Sequence, residues 1–134
     1  MNYTILDGAD KMNLTEVMVL LKQTYWADAR PAEQVQRSME HSHCYGVYLE
    51  DEQKLVGFAR VISDYATTYY LCDVIIDQAR QNHGLGTALI SYIENNPLYK
   101  GLRGILITRD AHALYEKFGY ETLNDRAMVK GLNC

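Results

Sequence analysis

The fold is decided by residues 71–93, which read LCDVIIDQARQNHGLGTALISYI. The stretch begins with a short, nearly unbroken apolar run at residues 71–76, which is typical of a buried strand. Seven polar or small residues follow. From Gly84 onward, apolar residues recur at helical spacing and would share one face of a helix. The stretch therefore predicts a strand, a short loop and a helix in direct succession.

Two glycines, Gly84 and Gly86, lie where this helix is expected to begin. A glycine-rich helix start leaves backbone N–H groups uncovered, and the helix dipole adds partial positive charge there, so the pattern suits an anion such as phosphate. A structural explanation is also open: Gly84 supplies a positive φ and Gly86 allows close packing. A Rossmann nucleotide site is excluded, because its third glycine would fall where this chain has Leu89.

Two motifs in this order carry a family resemblance. Residues 81–86 (QNHGLG) match the Q/R-x-x-G-x-G/A signature of the GNAT superfamily of N-acetyltransferases, and residues 111–120 (AHALYEKFGY) resemble its A-x-x-L-Y-x-K-x-G-F segment. The resemblance is specific over residues 45–130. It implies one GNAT domain over residues 1–134, of the α/β class in its α+β form. A mixed, mostly antiparallel sheet is expected, with a parallel βαβ crossover at the cofactor site and helices on both faces.

The resemblance implies acetyl-coenzyme A as cosubstrate and no metal. In the family the glycine loop holds the pyrophosphate, and the backbone of the preceding strand pairs with the pantetheine arm. Many members have several basic residues in this loop, whereas this chain has Arg80 just outside it and His83 within it. The expected cofactor-binding residues are Val74, Ile75, Ile76, Gln81, Asn82, His83, Gly84, Leu85, Gly86 and Thr87.

Tyr115 and Asp73 are the predicted catalytic residues. Tyr115 resembles the family's tyrosine near the coenzyme sulfur, where a phenol can protonate a departing thiolate if it is well positioned. The alternative is that Tyr115 is a core residue of an apolar helix face. Asp73 lies in an otherwise apolar strand, on the face of Ile75 and Asp77, and could remove the amine proton directly or through water, or attract a cationic substrate. Its alternative is a structural carboxylate satisfied by backbone donors or by Arg60.

Tyr25, Trp26 and Arg30 are the predicted acceptor-binding residues. They lie between two predicted helices, at a corner that usually covers the acceptor site in the family, and a cation beside aromatic rings could hold a carboxylate-bearing molecule. In the structural alternative, the two aromatic residues are core residues and Arg30 is a surface charge.

Composition limits the partners. The 134 residues carry 13 basic and 17 acidic side chains, a net charge of −4, which argues against nucleic-acid and membrane-surface binding. No long apolar run or signal peptide is apparent. The three scattered cysteines indicate reduced thiols and favour a cytoplasmic location. A monomer or a homodimer is expected.

The sequence therefore predicts an N-acetyltransferase that acts on the primary amine of a small molecule, with an amino acid as the first candidate. Acetylation of a protein N-terminus or lysine, and a non-catalytic acyl-coenzyme A sensor, are the alternatives. Three local predictions accompany this: a first helix from an Asn13 cap to about Trp26, a last helix capped by Asp110, and a final strand at residues 127–130.

Overall fold

Apolar runs separated by polar turns form one five-stranded sheet in the computed structural model, which describes residues 2–131. The strands lie in sequence order across the sheet, antiparallel from the first to the fourth and parallel between the fourth and the fifth. This confirms the predicted mixed sheet. The strands are β1 Tyr3–Asp7, β2 His43–Leu49, β3 Lys54–Ser63, β4 Thr68–Ile76 and β5 Arg103–Leu106.

Helices cover both faces of the sheet, as expected. The first two pack on one face with Phe58 of β3, and the third packs on the other face with Tyr45 and Val47 of β2. No helix within residues 2–131 combines the length and the apolar character needed to span a bilayer. The helices are α1 Leu14–Leu21, α2 Ala32–Glu40, α3 Leu85–Glu94 and α4 His112–Glu116, with short 3-10 helices at Ala9–Lys11, Gln78–Arg80 and Pro97–Tyr99.

The first helix begins as predicted but ends earlier. The Asn13 side chain accepts a hydrogen bond from the Glu16 N–H at 3.2 Å, which confirms the cap. The helix stops at Leu21, not near Trp26. The Thr24 hydroxyl donates to the Leu21 carbonyl and accepts from the Ala27 N–H, so a side chain replaces the helical bonds and tightens the chain into turns.

Two predictions near the C-terminus are wrong. Residues 127–130 form no strand in the part of the chain that the structure describes, and Met128 is 97% exposed. A short apolar run without a neighbouring edge to pair with does not make a strand. The last helix begins without an Asp110 cap; instead the Thr108 hydroxyl accepts the hydrogen bond of the Ala111 N–H.

A break in the centre of the sheet positions the candidate site. The register between β3 and β4 shifts near Asp73, whose backbone has a left-handed φ of 54°. The parallel pairing of β4 with β5 ends at Leu71 and Leu106. Past that point, the outer edge of β4 has no strand partner among residues 2–131. The sheet therefore opens on the C-terminal half of β4, immediately before the glycine loop.

Candidate active site

The start of α3 has the free backbone donors that an anion requires. Within residues 2–131, the N–H groups from Asn82 to Thr87 donate no hydrogen bond to a protein atom, and no side chain caps the helix. Asn82 and Gly84 both have left-handed backbones, with φ of 68° and 78°. Consecutive N–H groups in such turns form anion-binding concavities. The loop therefore offers six donors to a ligand.

The two loop glycines have different reasons to be glycine. Gly84 has a left-handed φ that L residues rarely adopt, so its role in the turn is structural. Gly86 lies within α3, and a Cβ there would meet only the Ile76 side chain, at an ordinary 3.6 Å. The packing between helix and strand does not require a glycine at position 86. A glycine at the start of a helix with free amides suits a ligand that approaches the backbone closely.

Side chains around the loop fix its position. The Gln81 amide donates to the Ile76 carbonyl at 3.3 Å, so this signature residue ties the loop to the end of β4. Gln23, just after α1, accepts from the Gln78 N–H at 3.0 Å and donates to the Asp77 carboxylate at 3.4 Å. The segment after α1 is therefore attached to the strand end from which the loop departs.

Asp73 joins the corner between α1 and α2 to the central strand. Its Oδ1 accepts a hydrogen bond from the Trp26 indole at 3.1 Å. Its Oδ2 accepts from Arg30 Nη1 at 2.8 Å and from Arg60 Nε at 2.9 Å. The residue is 5% exposed, so both carboxylate oxygens are satisfied out of contact with solvent. The structure shows the pairing of Asp73 with Arg60 that the structural alternative expects, and Trp26 and Arg30 complete the cluster.

The two guanidinium groups decide the charge state of Asp73. Burial by itself would raise its pKa, but the charges of Arg60 and Arg30 and their hydrogen bonds outweigh burial and hold the pKa below its ordinary value. Asp73 is therefore ionised at neutral pH. A carboxylate of low pKa with both oxygens occupied is a weak proton acceptor, so its geometry supports a positioning role. The general-base role stays a prediction.

A cleft of about 520 Å³ opens beside this cluster. It brings together the predicted acceptor residues Tyr25, Trp26 and Arg30. Arg30 uses one nitrogen, Nη1, to bind Asp73, and its side chain remains 24% exposed. We call this cavity the acceptor cleft; it is lined by Tyr25, Trp26, Asp28, Ala29, Arg30, Gln34, Ser38 and Arg60.

Tyr115 has a buried ring and an unbonded hydroxyl. The residue is 7% exposed and packs in the core cluster on the α3 side of the sheet. No residue within 2–131 hydrogen-bonds its hydroxyl, and that oxygen is not among the fully enclosed unsatisfied atoms. Tyr120 packs edge-on against the ring at 5.9 Å and donates its own hydroxyl to Glu94 at 2.8 Å. Tyr115 is thus held by its ring, and its hydroxyl is left without a hydrogen-bond partner among residues 2–131.

The acid–base properties of Tyr115 suit a proton donor. Burial, with smaller contributions from Glu94 and Asp110, raises its pKa to about 12. A buried thiolate becomes more basic for the same reason: burial raises the pKa of the Cys72 thiol, next to Asp73, to about 11. A phenol of raised pKa stays protonated at neutral pH and would therefore carry a proton to donate.

Some contacts at the site were not predicted. The bond from Trp26 to Asp73 joins residues 47 positions apart, and the Arg109 guanidinium lies 4.0 Å from the centre of the Tyr25 ring. Sequence patterns mark the residue types at each place. These patterns do not indicate which residues pair when they lie so far apart in the chain. The only available signal was the excess of aromatic and charged residues near strand ends.

Replacing Asp73 by Asn tests its positioning role. Asn tolerates the left-handed backbone but leaves Arg30 and Arg60 without a counter-charge, so we expect a loss on the order of 3 kcal/mol in unfolding free energy at neutral pH. Because the folded pKa of Asp73 is lowered, its contribution is present above the unfolded pKa near 3.9 and is lost as pH falls through the folded value. Urea unfolding curves of the two proteins should therefore converge in acid.

Asp28→Asn is the matched control, since Asp28 lines the same cleft and forms no ion pair within residues 2–131. It should change stability by less than about 0.5 kcal/mol. An Asp73→Asn protein of unchanged stability that loses turnover would contradict the positioning role and favour the general base.

The fold and the site define a class. A strand that separates from its parallel neighbour and leads into a helix start with free backbone N–H groups suits an extended ligand that carries phosphate. The chain belongs to the acetyltransferase (GNAT) family, whose model matches residues 14–120.

Relatives and solved structures agree with this assignment. A GNAT-family structure from Xanthomonas campestris pv. campestris superposes with a TM-score of 0.87 at 33% identity, covering 99% of this chain and 97% of that one. Glucosamine-6-phosphate N-acetyltransferase from Arabidopsis thaliana shares the fold with a TM-score of 0.72 at 15% identity, covering 98% of this chain and 99% of that one.

Curated relatives carry acetyltransferase names. Histone acetyltransferase TAP1 from Glycine max is 28% identical over 93% of this chain and 51% of its own length. GCN5-related N-acetyltransferase 2, chloroplastic, from Arabidopsis thaliana is 32% identical over 62% of this chain and 32% of its own length. The chain thus spans between about a third and a half of the length of these relatives.

Proposed function

We propose that this chain transfers an acetyl group from acetyl-coenzyme A to the primary amine of a small molecule, with a carboxylate-bearing amine as the first candidate. The observation that carries the proposal is the acceptor cleft. It is a cavity of about 520 Å³, of a size for a metabolite, and three of its lining residues, Trp26, Arg30 and Arg60, are bonded to Asp73 of β4. Aromatic rings and arginines line it, which suits a small molecule with both apolar and anionic parts.

The residues present fit the cosubstrate. The six free amides from Asn82 to Thr87 would bind the pyrophosphate, and the open backbone edge of Val74, Ile75 and Ile76 would pair with the pantetheine arm. When bound, acetyl-coenzyme A would supply an activated thioester. A single side chain at position 86 would fill the space in front of these amides, which is why a glycine there supports the assignment.

The chain's own residues would then orient the acceptor and donate a proton. Tyr25, Trp26 and Arg30 would bind the acceptor and hold its amine at the opening of the sheet. Asp73 would keep Trp26 and Arg30 in place. The Tyr115 hydroxyl would give its proton to the departing thiolate, while the amine proton leaves through water or, as the sequence predicts, to Asp73.

A protein substrate is the second candidate. It is favoured by the relative from Glycine max, which is named a histone acetyltransferase and matches 93% of this chain. A peptide would need a groove that continues past the cleft, and a cavity of about 520 Å³ bounded by the α1–α2 corner gives room for a single side chain or a metabolite.

A panel of acceptors with acetyl-coenzyme A, read out as release of free thiol, tests the proposal. It should contain amino acids, amino sugars, simple amines and a lysine-rich histone-tail peptide. Turnover of small amines above that of the peptide is the expected result. Turnover of the peptide alone would favour the second candidate, and tight binding of acetyl-coenzyme A without thiol release would indicate a sensor. A cytoplasmic location and a monomer or homodimer stay predictions.

A further inference from the structure

Arg109 connects the loop after β5 to the corner between α1 and α2. It belongs to the loop between β5, which ends at Leu106, and α4. Its guanidinium carbon lies 4.0 Å from the centre of the Tyr25 ring, which lines the acceptor cleft on the α1–α2 corner. The loop that leads to Tyr115 therefore touches the aromatic corner at the cleft.

Arg109 forms no ion pair among residues 2–131, in contrast to the two arginines that line the cleft. Arg30 and Arg60 both pair with Asp73, at 2.8 and 2.9 Å. Arg109 has no carboxylate within ion-pair distance among residues 2–131, although Asp110 is adjacent in sequence. A guanidinium that lies over an aromatic ring keeps its in-plane N–H donors free. The guanidinium of Arg109 is thus positioned by the Tyr25 ring, and its N–H groups are available to a ligand.

The Tyr25 ring on which Arg109 rests is itself held. Tyr25 is 58% exposed, but it packs edge-on against Trp26 with ring centres 5.0 Å apart, and Trp26 is fixed by its bond to Asp73. Contacts that run from Asp73 through Trp26 to Tyr25 therefore fix the ring on which Arg109 rests beside the cleft. A cation–π contact at an exposed site is weak, so an incoming anion could displace or share it at little cost.

We propose that Arg109 binds the anionic group of the acceptor and makes the site selective for amines that carry a carboxylate or a phosphate. The proposal rests on the proposed function. The chain has a net charge of −4, which repels anions in general. An anionic acceptor therefore needs a local unpaired cation, and Arg109 provides one in a planar form that matches carboxylate and phosphate oxygens.

Trp26 gives a direct readout of binding, because it is the single tryptophan of the chain and lies in the cleft. Two matched pairs of probes are titrated: glycine against glycinamide, and phosphoethanolamine against ethanolamine. Fluorescence gives the Kd in wild type, Arg109→Gln and Arg109→Lys, and thiol release gives turnover. Arg109→Gln should weaken the anionic member of at least one pair tenfold or more and leave its neutral member unchanged, with partial recovery in Arg109→Lys.

Arg103→Gln is the matched control, since it removes an exposed cation from β5 outside the cleft lining, and it should change neither pair. The pair that responds tells a carboxylate acceptor from a phosphate acceptor. Equal weakening of both members would mean that Arg109 only supports Tyr25, and would overturn the proposal. So would unchanged affinities, or wild-type protein that responds to no anionic probe. Arg109-dependent binding without acetylation of any amine would instead overturn the proposed function alone.

Discussion

Gly86→Val should lower the affinity for acetyl-coenzyme A by about 10²–10⁴-fold while the protein still folds. Valine would occupy the space in front of the free amides of the loop and keep phosphate oxygens from reaching them. Losing two charge-assisted hydrogen bonds, each worth about 1.5–3 kcal/mol, accounts for a change of this size. Isothermal titration calorimetry measures the affinity, and a thermal melt of the same preparation measures folding.

The fold should tolerate this substitution. A Cβ at position 86 meets only Ile76, at 3.6 Å, and valine has a higher helix propensity than glycine. Ala88→Val is the matched control, because it adds the same side chain to α3 on the side that faces β1. It should keep the affinity. Unchanged affinity in a folded Gly86→Val protein would contradict the cofactor assignment of the loop.

Local patterns predicted the part of the fold that carries the candidate cofactor site. The change from an apolar run to helical spacing within residues 71–93 located β4, the loop and α3. This was possible because the spacing of apolar residues and the residue types of a turn depend only on residues close together in the sequence. The Asn13 cap was predictable for the same reason. A glycine within a helix is also a local signal, and the structure adds that the packing of Gly86 gives no reason for it.

Features that depend on distant partners could not be predicted in this way. The early end of α1 depends on Thr24 competing for backbone bonds, although the apolar stripe continues to Tyr25. The segment 127–130 begins with three apolar residues in a row, but no edge pairs with it among residues 2–131. Strand formation depends on a partner as much as on the segment itself.

The Asp73 cluster shows the same limit at the site. The sequence indicated a carboxylate in an apolar strand, and it left two roles open for Asp73: a general base or a structural partner of Arg60. It could not indicate that Trp26 and Arg30, more than forty positions earlier, occupy the same two oxygens. A buried carboxylate becomes a base or a counter-charge according to the groups that surround it, and here two guanidinium groups lower its pKa.

Tyr115→Phe should lower kcat by roughly 10²–10⁴-fold, the usual loss on removing a general acid, with acetyl-coenzyme A affinity little changed. Phenylalanine keeps the buried ring against Tyr120. The hydroxyl that is removed has no hydrogen-bond partner within residues 2–131, so the unfolding free energy should change by less than about 0.5 kcal/mol. Thiol-release kinetics and a melting curve on one preparation measure both effects.

Tyr120→Phe separates this role from a structural one. The Tyr120 hydroxyl is bonded to Glu94, so its loss should lower stability and leave kcat nearly intact. The pH dependence gives a further check: because the pKa of Tyr115 is raised to about 12, the phenol stays protonated through neutral and moderately alkaline pH. Its ionisation should therefore produce no fall in kcat until well above pH 10, the value of an unperturbed phenol. Wild-type turnover in Tyr115→Phe would leave the ring as a core residue and make water the proton donor.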